Sequence, residues 1–259
     1  MCRLNKMILL IDIGNTHTHL GLANLRRVVK HANLPTAHWL EGGAAQRTRR
    51  FVGRAALDGA ALCSVVPRVT AHVRRAVKQL WNISALELTP RTVRGVGICY
   101  PRPKTIGPDR LANAVAVKHY FGAPAVVVDF GTAVTFDVVN AGGDYVGGII
   151  APGLSVMTDY LHEKTALLPR IKIRQVGSVI GKSTEQAMRI GAVHGYRGLI
   201  RELVAELKRE LKVRLLPVVA TGGYAKLIGA KLPEITALAP LLTLEGLRLV
   251  WTANSGEAS

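Results

Sequence analysis

Met7 to Ile13 reads MILLIDI, an apolar run broken by a single Asp near its end. Thr16 to Ala23 reads THTHLGLA, which alternates polar and apolar positions before turning apolar. Gly14 and Asn15 separate the two runs. Apolar run, tight turn and alternating run predict a β-hairpin, whose Gly-Asn turn can accommodate positive φ. The pattern returns 117 positions further on: Ala125 to Phe130 (AVVVDF) is followed by Gly131, Thr132 and a second alternating run. Aligned, IDIGNT at 11–16 and VDFGTA at 128–133 each close an apolar run with Asp, one apolar residue, Gly and a small hydroxyl or amide residue. The spacing is near half of the 259 residues. Two similarly built halves, 1–120 and 121–259, are therefore expected to face one another across a cleft, with Asp12 and Asp129 aimed into it.

Between and after the hairpins, strands alternate with helices. Residues 26–56 are polar, basic and irregular, and predict a third strand, a loop and a helix without readable function. Ala60 to Val66 reads as a buried strand, and Pro67 suits the first position of a helix reaching about Trp81. Ser84 to Leu88 is a further strand. Residues 95–110, GVGICYPRPKTIGPDR, are too rich in Pro and Gly for a regular element through most of their length, so a long loop ends at Gly107, before a helix over Pro108 to Phe121. Ala125 to Phe130 has the composition of a strand buried on both faces. GGIIAPG at 147–153 predicts a strand entering a Pro-Gly turn, then a helix over Leu154 to His162. Ser183 to Gln186 offers a capping box for a helix with Leu199, Leu203, Leu207 and Leu211 on one face. Gly191, Gly195 and Gly198 would let another helix approach it. Val218 to Ala220, a glycine pair at 222–223, a short helix over Tyr224 to Lys231, a Leu-rich helix over Leu241 to Trp251 and a polar tail complete an α/β chain.

Composition narrows the class. A hydrophobic content of 49% with 20% charged residues is that of a globular protein, and the length allows one large domain or two smaller ones. Cys2, Cys63 and Cys99 are widely separated, which suggests neither a disulfide framework nor a structural zinc site and points to a reducing cytoplasm. Arg3 and Lys6 before an apolar run superficially resemble a secretion signal, but Asp12 interrupts the run; it reads as a first strand. No stretch reaches the ~18 apolar residues that span a membrane. The net charge of +17 favours an anionic partner without choosing one, and its clusters read mainly as solvated faces of amphipathic helices.

Several residues carry candidate chemistry. Backbone N–H groups in the first turn, with the Asn15 and Thr16 side chains, suit a phosphate. His17 and His19 share a strand face at a metal-compatible spacing, but no third ligand is apparent and they read as ordinary strand residues. Asp109 falls in the first turn of its helix, where free N–H groups favour an ionised acid. Arg110, less expected there, suggests an anion in front of that helix. Asp129, at the C-terminal end of an apolar strand, is costly to bury unless paired or bound to a cation. The Gly222–Gly223 pair, between strand and helix, leaves bare backbone for a flat ring or phosphate.

Taken together, IDIGNT with Gly21, GPDR at 107–110, DFGTAVTFD at 129–137, GGIIAPG, Thr184 within GKSTEQAMRIG, TGG at 221–223 and TLEGL at 243–247 make the chain resemble the type III pantothenate kinases, from about Met7 to Asn254. The resemblance implies the two-halved, ribonuclease H-like fold of the superfamily of actin, sugar kinases and heat-shock ATPases. It further implies ATP-dependent phosphorylation of pantothenate, the first step of coenzyme A biosynthesis, in a homodimer. Asp12, Ile13, Gly14, Asn15, Thr16, His17, Thr18 and His19 would cradle ATP phosphates with Mg²⁺, Thr132 would contact them from the second half, and Gly222 and Gly223 would face adenosine. Asp109 would be the general base. Tyr100, Gly107, Pro108, Asp109 and Arg110 would hold pantothenate, with Arg110 on its carboxylate and Thr184 completing the pocket at the dimer interface. Asp129 would bind the monovalent cation, potassium or ammonium. Pro108 and Ser183 depart from the usual family residues without moving Asp109 or Thr184, and the high charge is unexplained by the reaction. A nucleic-acid-binding or regulatory protein on the same fold is the main alternative, but no helix-turn-helix or stacking platform is visible, so nucleic acid is not expected as a partner. An ATPase without a small-molecule acceptor would leave the Tyr100 to Arg110 loop unexplained.

Overall fold

The computed structural model describes residues 6–256; Cys2, Arg3 and the last three residues of the polar tail lie outside that range. The chain divides into two compact units. Unit 1 holds the described residues up to Tyr120, Gly143–Val146 and the chain from Leu241 on; unit 2 holds Phe121–Gly142 and Gly147–Pro240.

Unit 1 is built on a five-stranded sheet. The strands are β1 (Met7–Ile13), β2 (His17–Ala23), β3 (Val28–Pro35), β4 (Leu57–Ser64) and β5 (Leu86–Glu87), in the order β3-β2-β1-β4-β5. β1 to β3 form an antiparallel meander, and β1 pairs parallel with β4. Three helices, α1 (His38–Glu41), α2 (Ala44–Val52) and α3 (Pro67–Trp81), bury Trp39, Phe51, Val52, Val69, Val73 and Val77 against Leu9, Ile11, Ile13, Leu20 and Leu62. Side chains alternate along a strand, so Leu10 and the small residues Gly21 and Gly59 face the other way. The loop of 95–107 contains only a two-residue strand, β6 (Gly97–Ile98), and one 3₁₀ turn before α4 (Pro108–Phe121). β6 pairs parallel with Asp144–Tyr145.

Unit 2 repeats the hairpin. β7 (Ala125–Phe130) and β8 (Ala133–Val139) pair antiparallel, and β9 (Asp144–Pro152) lies beside β8. β7 is buried along nearly its whole length, as its run of valines predicts. After α5 (Leu154–Lys164), α6 (Thr184–Ile190) and α7 (Tyr196–Glu210) are joined by a π-helical turn at Gly191–Gly195. Ser183 Oγ caps α6 by accepting from Gln186 N–H, while Gln186 Oε1 reaches Lys182 N–H rather than that of Ser183 itself. A Cβ added at Gly191, Gly195 or Gly198 would meet no described atom within 4 Å, so no close helix contact within the described residues requires glycine at these positions. β10 (Val218–Thr221) pairs with β7 on one side and with β11 (Ala237–Leu238) on the other, and α8 (Ala225–Ile228) lies between these two strands in sequence.

The last helix, α9 (Leu242–Asn254), belongs to unit 1 although it is last in sequence. It covers the glycine-bearing face of the first sheet: a Cβ on Gly59 would sit 2.4 Å from the Trp251 ring. Glu245 and Arg248 pair at 2.6 Å. Glu245 also accepts from Val28 N–H and Tyr120 O–H, and Arg248 donates to the Leu25 carbonyl and the Tyr120 hydroxyl. The TLEGL motif is thus the joint between α9, α4 and the β2–β3 turn. Gly246 lets the backbones of α9 and α4 touch, since a Cβ there would lie 2.0 Å from the Ala112 carbonyl oxygen. Gly246→Ala is expected to lower unfolding free energy by ~1–3 kcal/mol in urea titration. Gly198→Ala, with open space around it, is expected to be neutral or stabilising by up to ~1 kcal/mol.

Candidate active site

In the parallel pairing of β1 with β4, Asp12 stands opposite Cys63. The Cys63 thiol is fully buried and donates to Asp12 Oδ1 at 3.2 Å. Burial and the nearby Asp109 carboxylate push the Asp12 pKa up to about 7 against the weaker pull of that thiol. Burial also raises Asp109, outweighing the Arg110 backbone N–H and guanidinium that favour its charged form. The helix start was expected to keep Asp109 ionised; desolvation is the larger effect. The Cys63 thiol, buried beside both carboxylates, is pushed well above its ordinary range.

The GPDR turn shapes the approach to Asp109. Gly107 O accepts from Arg110 N at 3.0 Å, and Arg110 N also donates to Asp109 Oδ1 at 2.9 Å. A side chain at 107 would place its Cβ 2.5 Å from that Oδ1, so only glycine lets the carboxylate fold back over the turn. Pro108 opens α4 as expected. The Arg110 guanidinium lies 5.8 Å from the centre of the buried Tyr145 ring, which in turn lies 6.1 Å from that of Tyr100. Tyr100, an exposed side chain, and Arg110 are thus linked through a residue outside the loop that carries them.

At the first hairpin, neither Gly14 nor Asn15 uses the positive φ that its residue type tolerates. Glycine is required by proximity instead: Gly14 N donates to His17 O at 3.0 Å, and a Cβ would crowd that oxygen. Thr36 pins the turn, donating its hydroxyl to Gly14 O at 2.7 Å and its N–H to Thr16 O at 3.0 Å. Ile13 and Thr18 are buried, and the Thr18 hydroxyl meets that of Thr36; Asn15, Thr16 and His17 are exposed at the tip. His19 Nδ1 lies 2.8 Å from Asn33 Oδ1. Among the described residues no three His, Cys, Asp or Glu gather as a metal cluster.

In unit 2, Asp129 lies one residue before the end of β7, beside Thr221 of β10. Gly222, at φ +87°, would bring a Cβ to 2.5 Å from Asp129 Oδ1, so the carboxylate rests on bare backbone. Gly223 opens onto free space among the described residues. Gly153 N donates to Thr132 O at 3.1 Å, and a Cβ on Gly153 would collide with that oxygen, which docks the GGIIAPG turn on the second hairpin tip. Thr184 is exposed at the first position of α6.

Unit 1 therefore brings Asp12 and Asp109 together, with Arg110 on the turn beside them. Unit 2 gathers Asp129, Gly222 and the Thr132 turn. Cys63, Tyr145 and Thr36 were not singled out from sequence. Only Cys63 left a trace, as a polar-capable residue ending a buried strand level with Asp12. The paired carboxylates are hard oxygen donors of the kind that take a divalent cation, and a carboxylate whose proton affinity is raised is a better proton acceptor than an ordinary one.

Solved structures with this fold include a Baf family protein from Campylobacter jejuni, described as a candidate transcriptional activator (TM-score 0.63, 21% identity, 96% of this chain and 99% of that one). Another is the inorganic polyphosphate/ATP-glucomannokinase of Arthrobacter sp. strain KM (TM-score 0.51, 13% identity, 96% and 100%). The fold is that of the actin-like ATPases and sugar kinases. Residues 8–206 match the type III pantothenate kinase family model. Type III pantothenate kinases from Akkermansia muciniphila and Methylacidiphilum infernorum are 45% and 43% identical, over 95% and 94% of this chain and 98% and 87% of theirs. The chain belongs to the type III pantothenate kinase family.

Because Asp12 holds its proton more tightly folded than unfolded, where its ordinary value is 3.8, its contribution favours the fold below pH 4 and is lost as pH rises through about 7. Without nucleotide, Asp12→Asn should melt higher than the wild type at pH 8, the gap closing by pH 4. A gap that does not change with pH in differential scanning fluorimetry would contradict the assignment.

Proposed function

We propose that this protein transfers the γ-phosphoryl group of ATP to the hydroxyl of pantothenate, giving 4′-phosphopantothenate for coenzyme A synthesis in the cytoplasm. The observation that carries the chemical part of this reading is the proximity of Asp109 to Asp12, with the proton affinity of Asp109 raised by burial. A base must be ready to accept a proton near neutral pH, and a carboxylate of ordinary acidity is a weak one. Asp109 takes the proton of the attacking hydroxyl as its oxygen bonds to the γ-phosphorus and the bond to the β-phosphate bridge breaks, releasing ADP. Arg110 holds the substrate carboxylate, and Tyr100, Gly107, Pro108 and Thr184 complete the assigned acceptor contacts.

Asp12 and the turn from Ile13 to His19 are assigned to the ATP phosphates, with the exposed Asn15, Thr16 and His17 presenting the nearest polar groups. In unit 2, Thr132, Gly222 and Gly223 are assigned to nucleotide. Mg²⁺ would be held by Asp12 and phosphate oxygens and would offset the charge that develops on them. A monovalent cation, potassium or ammonium, is assigned to Asp129, a carboxylate near the end of an otherwise buried strand. Cys63 and Cys99 are free thiols, in keeping with a reducing compartment. No helix among the described residues is long and apolar enough to cross a membrane.

A homodimer is supported by the outer face of α5, where Val156, Met157, Tyr160 and Leu161 are exposed at helical spacing, with Ile150 exposed on β9. An apolar surface of this kind is uncommon on a monomer.

A coupled assay with ATP, Mg²⁺ and pantothenate tests the reading, with potassium exchanged for sodium. Product is expected under potassium; none would overturn the function. Asp109→Asn should lower kcat by ~10²–10⁴ while leaving the melting temperature close to wild type. A wild-type rate would remove Asp109 from the role of base. Tyr160→Glu should convert a dimer to a monomer in analytical ultracentrifugation, and an unchanged dimer would place the interface elsewhere.

A further inference from the structure

We propose that Cys63 is a positioning residue for this reaction, its thiol fixing the carboxylate of Asp12 in the orientation that receives the cation carried by the nucleotide phosphates. The inference rests on the assignment of Asp12 to phosphate and Mg²⁺ made above.

The geometry is specific. Asp12 and Cys63 are register partners near the ends of two adjacent parallel strands, so the sheet holds their backbones at one fixed separation. The thiol is the one hydrogen-bond donor that the described residues offer the Asp12 carboxylate, at 3.2 Å on Oδ1, and the carboxylate is the only side-chain acceptor of that thiol. Cys63 is fully buried, and its strand neighbours Ala60, Ala61 and Leu62 are apolar. A buried cysteine usually serves as a small hydrophobe; here its hydrogen is directed at an anion.

The weakness of the donor is what suits it to the task. An arginine or lysine at this position would neutralise Asp12 and compete with the cation. A thiol aligns one oxygen and leaves the carboxylate charge available. Groups that orient metal-binding carboxylates from behind commonly change metal affinity ~10–100-fold when removed.

The test reads nucleotide binding without pantothenate. Affinity for MgATP is measured by calorimetry, and Mn²⁺ occupancy in the presence of ATP by electron paramagnetic resonance, for wild type, Cys63→Ala, Cys63→Val and Cys63→Ser. Cys63→Ser keeps a hydrogen-bond donor at nearly the same volume, whereas Cys63→Val fills the space without one. Both Cys63→Ala and Cys63→Val are expected to weaken Mn²⁺ retention ~10-fold or more, with Cys63→Ser staying within ~3-fold of wild type. In turnover, KM for ATP should rise in the two donor-less variants while KM for pantothenate stays unchanged. If Cys63→Ala melts early, the better-packed Cys63→Val decides. Wild-type Mn²⁺ retention in a folded Cys63→Val protein would overturn the proposal, as would a Cys63→Ser protein as defective as Cys63→Val. A wild type that binds MgATP but does not phosphorylate pantothenate would instead overturn the assigned reaction and leave the role of Cys63 standing.

Discussion

Two neighbouring, half-buried carboxylates, Asp12 near the end of β1 and Asp109 in the first turn of α4, are the constraint to which the rest of unit 1 answers. Loss of hydration makes both groups hold their protons more tightly, and at Asp12 the Asp109 charge adds to the effect. Such an arrangement is unfavourable for folding alone and persists because the surrounding structure over-determines it. β1 is fixed between β2 and β4, and α4 is clamped against α9 at Gly246, where no side chain intervenes.

The glycines near the site serve this constraint through proximity more than through unusual dihedral angles. Gly107 allows Asp109 to curl over its own turn, and Gly222 seats Asp129 on backbone. At Gly14 the same holds: the strand partner's carbonyl is too close for a side chain, although φ is ordinary. A motif of the form Asp-x-Gly therefore marks where a chain must come close to itself, and a phosphate-sized ligand can exploit the same bare surface.

The Glu245–Arg248 pair illustrates a different use of charge. Both side chains are largely buried, and every bond they make is to an element distant in sequence or to each other. Buried pairs of this type contribute little net stability but strongly disfavour alternatives in which one partner is left alone. They specify how α9 closes unit 1, which gives the TLEGL motif a structural role of its own.

Much of this was legible in the chain itself. Strong local patterns determined the two hairpins, the Pro67 and Pro108 helix starts, the all-buried β7 and the long loop before Gly107, because period and punctuation act over a few residues. The motifs carried the family and the candidate residues. What the sequence did not hold was which residue stands behind which. Cys63 faces Asp12 only because β4 adds parallel to β1 in one register. Tyr145 reaches Arg110 from another segment, and the closing helix joins unit 1 through the small residues Gly21, Gly59 and Gly246. The sign of the Asp109 shift was also settled by three-dimensional packing, since a helix start favours the charged form and only burial by distant segments outweighs it. Local chemistry is written along the chain; desolvation and register are sums over neighbours that only folding assembles.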